Sequence, residues 1–253
     1  MNINFDGKSI YCTDKGSGDA VVFLHGWGAD MQSFSFLEAP IIEAGFRTVM
    51  IDLPGHGKSE EPDRAYSLSD YTAAVKTVLS ALSIERPTLI GHSNGGRVVI
   101  DLLANEGYDA KRAVLIDSAG IIPKRSLGYR IKVFRYKLGK KLISAFCGKN
   151  KDAVLERYKR SHGSSDYKNV SGVMRDSMVK LVNTDLEPSL HKISVPTLLI
   201  WGENDTATPL SDGKRMNELI SDSGLVVLEG GSHWAFAEQG GKTLAVLLSF
   251  LRS

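Results

Sequence analysis

A chain of 253 residues, of which 42% are hydrophobic, is long enough to bury a full core, as one large α/β domain or as a domain with an insertion. Its net charge of +2 indicates no particular class of partner, and the regular alternation of helix-like and strand-like stretches excludes a largely disordered chain. The charge is uneven: residues 124–160 carry 13 Lys or Arg and 2 Asp or Glu, a net of +11, which leaves 18 basic and 27 acidic residues elsewhere.

The two cysteines, Cys12 and Cys147, are too few for a disulfide framework, and we expect two reduced thiols. Residues 1–6 lack the basic stretch and following apolar stretch that mark a secretory signal. The sequence has no run of 18 apolar residues, so a membrane-spanning helix is not expected. These features predict a soluble, cytoplasmic protein, and they leave open whether it is a monomer or a homodimer.

Apolar strands and amphipathic helices alternate along most of the chain. Strands are predicted at residues 3–5, 9–13, 20–24, 48–51, 87–90, 113–116, 196–201 and 225–228. Helices are predicted at residues 33–44, 70–82, 97–104, 210–220 and 243–251. Because continuous apolar strands that alternate with helices are typical of parallel sheets, we expect a mainly parallel sheet with helices on both faces.

The alternation stops after Gly120. Residues 121–190 contain no convincing strand and read as charged, amphipathic helix. The strand at residues 196–201 then restores the earlier pattern. We therefore predict a core domain of residues 1–120 and 191–253, interrupted by a helical insertion at residues 121–190.

The most informative stretch is the turn Gly91-His92-Ser93-Asn94-Gly95-Gly96, which lies between a predicted strand and a predicted helix. Strand, Gly-x-Ser-x-Gly and helix in this order form a nucleophile elbow. Such a turn brings two backbones together, and Gly91 and Gly95 have no Cβ that would clash. We expect Ser93 to have a strained backbone conformation, and the helix that begins after it to point free N–H groups at the group that the serine attacks.

A serine hydroxyl needs a neighbouring base, and that base needs an orienting partner. Downstream of Ser93, Asp205 follows the strand at residues 196–201, and His233 follows the last strand. The order Ser, Asp, His and these positions resemble the α/β-hydrolases, and the chain is similar over nearly its whole length to capped small esterases. The resemblance implies a sheet of about eight strands, mainly parallel and flanked by helices, with a helical cap inserted after the sixth strand.

The resemblance also assigns roles to residues. Ser93 would be the nucleophile, His233 the general base and then acid, and Asp205 the carboxylate that orients His233. The backbone N–H groups of Asn94 and Trp27 would form the oxyanion hole, the second of them by resemblance to a His-Gly-x-Gly loop.

Alternatives remain for two of these roles. Asp117 also ends a strand and could supply the carboxylate instead of Asp205, and Glu203 is a weaker candidate. Five other histidines compete with His233. His25 and His56 are expected to stabilise loops and His92 to have its ring directed elsewhere, and His162 and His191 belong to the insertion and its hinge.

Other kinds of site are not indicated. The stretch Gly55-His56-Gly57-Lys58-Ser59 resembles a phosphate-binding loop, but position 52, where that motif requires glycine, is Asp52. The histidines and cysteines lack the spacing of metal ligands, and no motif for reading grooves or stacking on bases accompanies the basic charge. We therefore predict no metal, no cofactor and no nucleic-acid partner.

The basic region contains apolar residues at helical spacing, namely Ile131, Phe134, Leu138, Leu142 and Phe146. The simpler interpretation is a cap helix whose apolar stripe covers the active site while its Lys and Arg side chains are solvated. The alternative is a basic face that attracts anionic substrates or rests on an anionic lipid surface. Candidates for an apolar acyl pocket, each of which could equally be cap core, are Tyr129, Phe134, Phe146, Tyr158, Tyr167 and Met174.

Together these observations predict a cofactor-independent serine hydrolase of carboxylic esters that carry an apolar acyl group. Thioesters, lactones and carbon–carbon bonds next to a ketone remain as alternative substrates for the same three residues. A non-catalytic receptor for small ligands on the same fold is the alternative of another class.

Overall fold

The computed structural model of the chain describes residues 1–122, 127–146, 151–161, 170 and 172–253. Eight strands form one sheet, in the spatial order β1-β2-β4-β3-β5-β6-β7-β8. In chain order the strands are β1 (Asn2–Phe5), β2 (Lys8–Lys15), β3 (Ala20–Leu24), β4 (Arg47–Ile51), β5 (Thr88–His92), β6 (Arg112–Ile116), β7 (Thr197–Gly202) and β8 (Ser223–Leu228).

The sheet is mainly parallel, as predicted. β1 and β2 pair antiparallel, and β2 pairs antiparallel with β4, whereas every pair from β4 through β3 to β8 is parallel. The central strands are apolar and buried on both faces, and one hydrophobic cluster packs on each side of the sheet. This arrangement confirms the predicted fold class, with its eight strands and flanking helices, and brings the carboxyl ends of six neighbouring parallel strands to one edge.

The helices of the described part of the chain are α1 (Ser35–Glu43), α2 (Leu68–Ala81), α3 (Asn94–Ala104), α4 (Leu127–Phe146), α5 (Lys151–Arg160), α6 (Gly172–Val182), α7 (Leu210–Leu219), α8 (Ala235–Glu238) and α9 (Gly240–Arg252). Two 3₁₀ segments, Met31–Phe34 and Glu187–Lys192, accompany them.

Two helical regions differ from the prediction. The helix predicted at residues 33–44 is a 3₁₀ turn that leads into α1, because Asp30 caps the 3₁₀ turn and accepts a hydrogen bond from the Gln32 N–H. Its end at Gly45, with φ of +91°, is as expected. The short helix α8 was not predicted, since four residues are too few to show a helical period.

Between β6 and β7 the described residues are helical, comprising α4, α5, α6 and the second 3₁₀ segment. The assignment of residues 121–190 to a separate cap stays a prediction. No helix of the described residues is long and apolar enough to cross a membrane. Several residues singled out in the sequence lie outside the described side chains, namely Tyr129, Phe146, Cys147, His162 and Tyr167.

The apolar stripe of α4 is largely exposed, and its predicted position over the active site stays a prediction. Four of its apolar side chains are exposed, by 52% for Ile131, 66% for Phe134, 45% for Leu138 and 49% for Leu142. Helical periodicity places these residues on one face of the helix but does not determine what that face packs against.

Candidate active site

The site is built around the turn that joins β5 to α3. Ser93 occupies this turn with φ of +50° and ψ of −112°, which is the strained conformation expected of an elbow serine. A Cβ added to Gly95 would lie 1.9 Å from the Leu24 carbonyl oxygen, and one added to Gly91 would lie 2.5 Å from the backbone of Gly95. Glycine is therefore required at both positions so that the turn can be this tight, as the sequence predicted.

His233 and Asp205 form a hydrogen-bonded pair beside this turn. Nδ1 of His233 lies 2.7 Å from Oδ2 of Asp205, and the two residues come from the loops that follow β8 and β7. Ser93 and His233 line the same cavity. The Ser93 hydroxyl forms no hydrogen bond with any described residue, which is common before substrate tightens a catalytic site.

The Asp205 carboxylate is held in place by several donors. Its Oδ1 accepts hydrogen bonds from the N–H groups of Ala207 and Thr208, at 2.7 and 3.0 Å. Its Oδ2 lies 2.6 Å from Oγ1 of Thr208. Burial has the largest single influence on the pKa of Asp205 and raises it, but the hydrogen bonds from His233 and Thr208 outweigh burial and hold the pKa at about 2. Asp205 is thus a carboxylate throughout the neutral range.

Asp117, the alternative to Asp205, has different surroundings. It is fully buried, and its Oδ1 accepts a hydrogen bond from the Gly202 N–H at 2.8 Å. Burial and the nearby Asp205 charge raise the pKa of Asp117 to about 8, so its neutral form is favoured at pH 7. The structure therefore has Asp205, and not Asp117, bonded to the imidazole of His233. Glu203, the weaker candidate, accepts a hydrogen bond from the Gly230 N–H instead.

Three of the other histidines are buried and organise loops. Nε2 of His25 accepts a hydrogen bond from the Leu53 N–H, and Nδ1 of His56 lies 3.0 Å from the Pro54 carbonyl oxygen. Nε2 of His92 lies 2.9 Å from the carbonyl oxygen of His233 and so fixes the loop that carries this residue. Burial lowers the pKa of all three, to about 4 for His25 and His56 and to about 3 for His92, so each ring is neutral. His191 is exposed on the second 3₁₀ segment.

The two predicted oxyanion-hole donors both line the cavity. Trp27 follows β3, and Asn94 is the first residue of α3. Neither backbone N–H donates a hydrogen bond to another described residue, so both are free to bind a ligand oxygen. This availability is the property that an oxyanion hole requires.

The cavity has a volume of about 440 Å³. Helix α6 supplies its apolar wall through Met178, Leu181 and Val182. Of the acyl-pocket candidates, Met174 is buried away from the cavity against Gly55, Phe134 is exposed, and Tyr158 stacks on Tyr136. Met178, Leu181 and Val182 were not among the candidates, and Tyr129, Phe146 and Tyr167 lie outside the described side chains, so their place in an acyl pocket stays a prediction.

Two residues of the site were not singled out from the sequence. The Thr208 hydroxyl contacts both His233 and Asp205. The sequence signal for this contact was the position of Thr208 three residues after Asp205, where a turn can bring its hydroxyl to the carboxylate. Arg97 lines the cavity one helical turn after Ser93. Its signal was its position as the one basic residue of α3, close to the start of the helix.

Comparisons with known proteins place this architecture in a family. The sequence model of the alpha/beta hydrolase fold family matches residues 19–239 of this chain. The AB hydrolase superfamily protein YisY of Bacillus subtilis is 28% identical over 97% of this chain and 96% of its own. A 2-hydroxy-6-oxononadienedioate/2-hydroxy-6-oxononatrienedioate hydrolase of Klebsiella pneumoniae is 28% identical over 99% of this chain and 94% of its own.

Among solved structures, the esterase EaEST of Exiguobacterium antarcticum superposes with a TM-score of 0.79 and 27% identity, covering 100% of this chain and 99% of its own. The chain therefore belongs to the α/β-hydrolase fold family. It is a hydrolase of that family. The relatives named above act on different substrates according to their names, since one is an esterase and another is a 2-hydroxy-6-oxononadienedioate/2-hydroxy-6-oxononatrienedioate hydrolase.

Proposed function

We propose that this protein is a serine hydrolase of carboxylic esters, with Ser93 as nucleophile, His233 as general base and acid, and Asp205 as the orienting carboxylate. The observation that carries the proposal is the His233–Asp205 hydrogen bond of 2.7 Å, which lies in the same cavity as a serine held in an elbow turn. His233 of this pair supplies the general base, and the elbow turn exposes the hydroxyl of Ser93, which needs a base to act as a nucleophile.

The reaction follows from this arrangement. Nε2 of His233 takes the hydroxyl proton as Oγ of Ser93 adds to the ester carbonyl carbon, and Asp205 stabilises the imidazolium that forms. The N–H groups of Trp27 and Asn94 stabilise the negative oxygen. The imidazolium then gives its proton to the departing alcohol, which leaves an acyl group on Ser93. Water then loses a proton to Nε2 as it attacks the acyl carbon, and the imidazolium returns this proton to Oγ of Ser93 as the acyl–oxygen bond breaks and the acid is released.

The substrate in this proposal is a small ester with an apolar acyl group, because Met178, Leu181 and Val182 form an apolar wall of the cavity. No metal or cofactor takes part in the proposed steps. Among the described residues, no group of three or more His, Cys, Asp and Glu side chains is arranged to hold a metal ion. Thioesters, lactones and carbon–carbon bonds next to a ketone are the alternatives with the same residues.

A panel of p-nitrophenyl esters and matching acyl thioesters, assayed with the wild-type protein and with Ser93→Ala, tests the proposal. We expect kcat/KM for the esters to rise with acyl length until the cavity is filled, and Ser93→Ala to fall to the uncatalysed rate. Faster turnover of the thioesters would transfer the proposal to that class. A wild-type protein that binds these compounds but turns none of them over would support a ligand receptor.

We further propose that α4 rests on an anionic lipid surface. This helix carries six basic residues and no acidic one, and four of its apolar side chains are exposed. Attraction of anionic substrates would explain the charge but not the exposed apolar stripe. An amphipathic helix with both features is typical of proteins that bind to the surface of anionic membranes.

A further inference from the structure

Three residues that line the cavity containing Ser93 each have a buried N–H donor without a hydrogen-bond partner among the described residues. They are Trp27 with Nε1, Asn94 with Nδ2 and Arg97 with Nε. A buried polar group without a partner is unfavourable, and more so when the group is charged. Buried donors of this kind therefore call for a structural or functional explanation.

Arg97 is the charged member of this set. Its side chain is 6% exposed, and its guanidinium donates one hydrogen bond, from Nη1 to the Thr184 carbonyl oxygen at 2.7 Å. Of the described carboxylates, none lies within salt-bridge distance of it. Burial lowers the pKa of Arg97 to about 10, and the Asp185 charge opposes the shift, so the guanidinium stays protonated at neutral pH. A buried cation of this kind is normally paired with an anion.

The position of Arg97 relates this cation to the nucleophile. The Arg97 N–H lies 3.3 Å from the Ser93 carbonyl oxygen, so the two residues are one turn apart on the same side of α3. Among the described residues that line the cavity, the ionisable side chains besides Arg97 are His92, His233 and Asp212. Asp212 is the carboxylate among them, and it forms no salt bridge with Arg97, so the guanidinium has no ionic partner in the described part of the cavity wall.

We propose that Arg97 binds a carboxylate of the substrate, so that Ser93 cleaves most rapidly those esters whose apolar acyl chain ends in a free acid group a few carbons from the scissile bond. This inference rests on the proposed function and names the substrate class of the same site. The planar guanidinium suits a carboxylate, because two parallel N–H donors can bind its two oxygens.

The test compares substrates that differ only in charge. The monomethyl and dimethyl esters of glutarate and adipate are assayed by acid release with the wild-type protein, Arg97→Met, Arg97→Lys and Arg252→Met. The last variant removes an exposed positive charge at the end of α9 and serves as the control. The measured quantity is the ratio of kcat/KM for the monomethyl ester to that for the dimethyl ester.

We expect Arg97→Met to lower this ratio by about 10- to 100-fold, which corresponds to the loss of hydrogen bonds to a charged group. Arg97→Lys should give an intermediate ratio, because an ammonium keeps the charge but not the paired donors. Arg252→Met should keep the wild-type ratio. An equal loss for both esters in Arg97→Met would mean that Arg97 only ties α3 to Thr184, and it would overturn the proposal.

A binding measurement separates this inference from the proposed function. NMR titration of Ser93→Ala, which keeps Arg97, should give at least tenfold tighter binding of monomethyl glutarate than of dimethyl glutarate. Equal affinities would overturn the role of Arg97, whatever the protein hydrolyses. Failure of the wild-type protein to hydrolyse any ester, combined with selective binding of the monoester, would overturn the esterase proposal alone.

Discussion

Replacing Asp205 with Asn should reduce turnover far more than the same change at Asp117. Asp205 is bonded to Nδ1 of His233 at 2.7 Å, and its pKa of about 2 is nearly two units below the ordinary 3.8. A pKa difference of one corresponds to about 1.4 kcal/mol, so the surroundings of Asp205 favour its charged form over its neutral form by about 2–3 kcal/mol. An Asn amide can donate a hydrogen bond to Nδ1 of His233. The ring proton is then on Nε2, and Nε2 can no longer accept a proton from Ser93.

We therefore expect kcat to fall by about 10³- to 10⁴-fold in Asp205→Asn, as for a His held in the wrong tautomer. Asp117→Asn is the matched control, because Asn can still accept the Gly202 hydrogen bond, and kcat should fall by less than about tenfold. Both are measured at saturating p-nitrophenyl ester and pH 7.5, with circular dichroism to confirm folding. A larger loss in Asp117→Asn would refute the assignment of Asp205 as the orienting carboxylate.

Asp117→Asn should become more stable relative to wild type as pH rises from 4 to 8, by as much as a few kcal/mol in urea unfolding. In the folded protein Asp117 stays protonated up to about pH 8, whereas in the unfolded chain it loses its proton near pH 4, so the stability of the wild-type protein falls between these pH values. Parallel plots of unfolding free energy against pH for the two proteins would contradict this. Thr208→Val, which removes a hydroxyl 2.6 Å from Asp205, should lower kcat about tenfold at unchanged secondary structure, and an unaltered kcat would show that this hydroxyl is dispensable. The protein should sediment with anionic but not with neutral vesicles, and the exposed-face double variant Lys137→Gln/Lys141→Gln should bind them more weakly; equal binding to both vesicle types would remove the lipid proposal.

The fold could be predicted largely because its signals are local. Continuous apolar strands between amphipathic helices specify a parallel sheet, and the carboxyl ends of such strands meet at one edge. The Gly-x-Ser-x-Gly sequence by itself predicts a tight turn, since Gly91 and Gly95 are the positions where a Cβ would collide with the backbone. Strand ends and motif order then sufficed to predict that Asp205 and His233 would come close together.

The parts that sequence reasoning missed depend on packing between distant segments. The spacing of Ile131 and Phe134 shows that α4 has an apolar face, but not that the face is exposed. In the same way, α6 contributes to the wall of the cavity and contacts a distant segment, where the Tyr66 N–H donates to the Ser177 hydroxyl, and no period within residues 172–182 reveals this. That Arg97 is buried, donates to the Thr184 carbonyl and forms no salt bridge with a described carboxylate becomes apparent only in the folded structure.

The most direct test of the central claim is the mass spectrum of the protein after reaction with a fluorophosphonate. We expect one adduct per chain, located on the peptide that contains Ser93, absent in Ser93→Ala and formed at least 100-fold more slowly in His233→Ala. An unmodified wild-type protein, or an adduct on another residue, would show that the His233–Asp205 pair does not activate this serine.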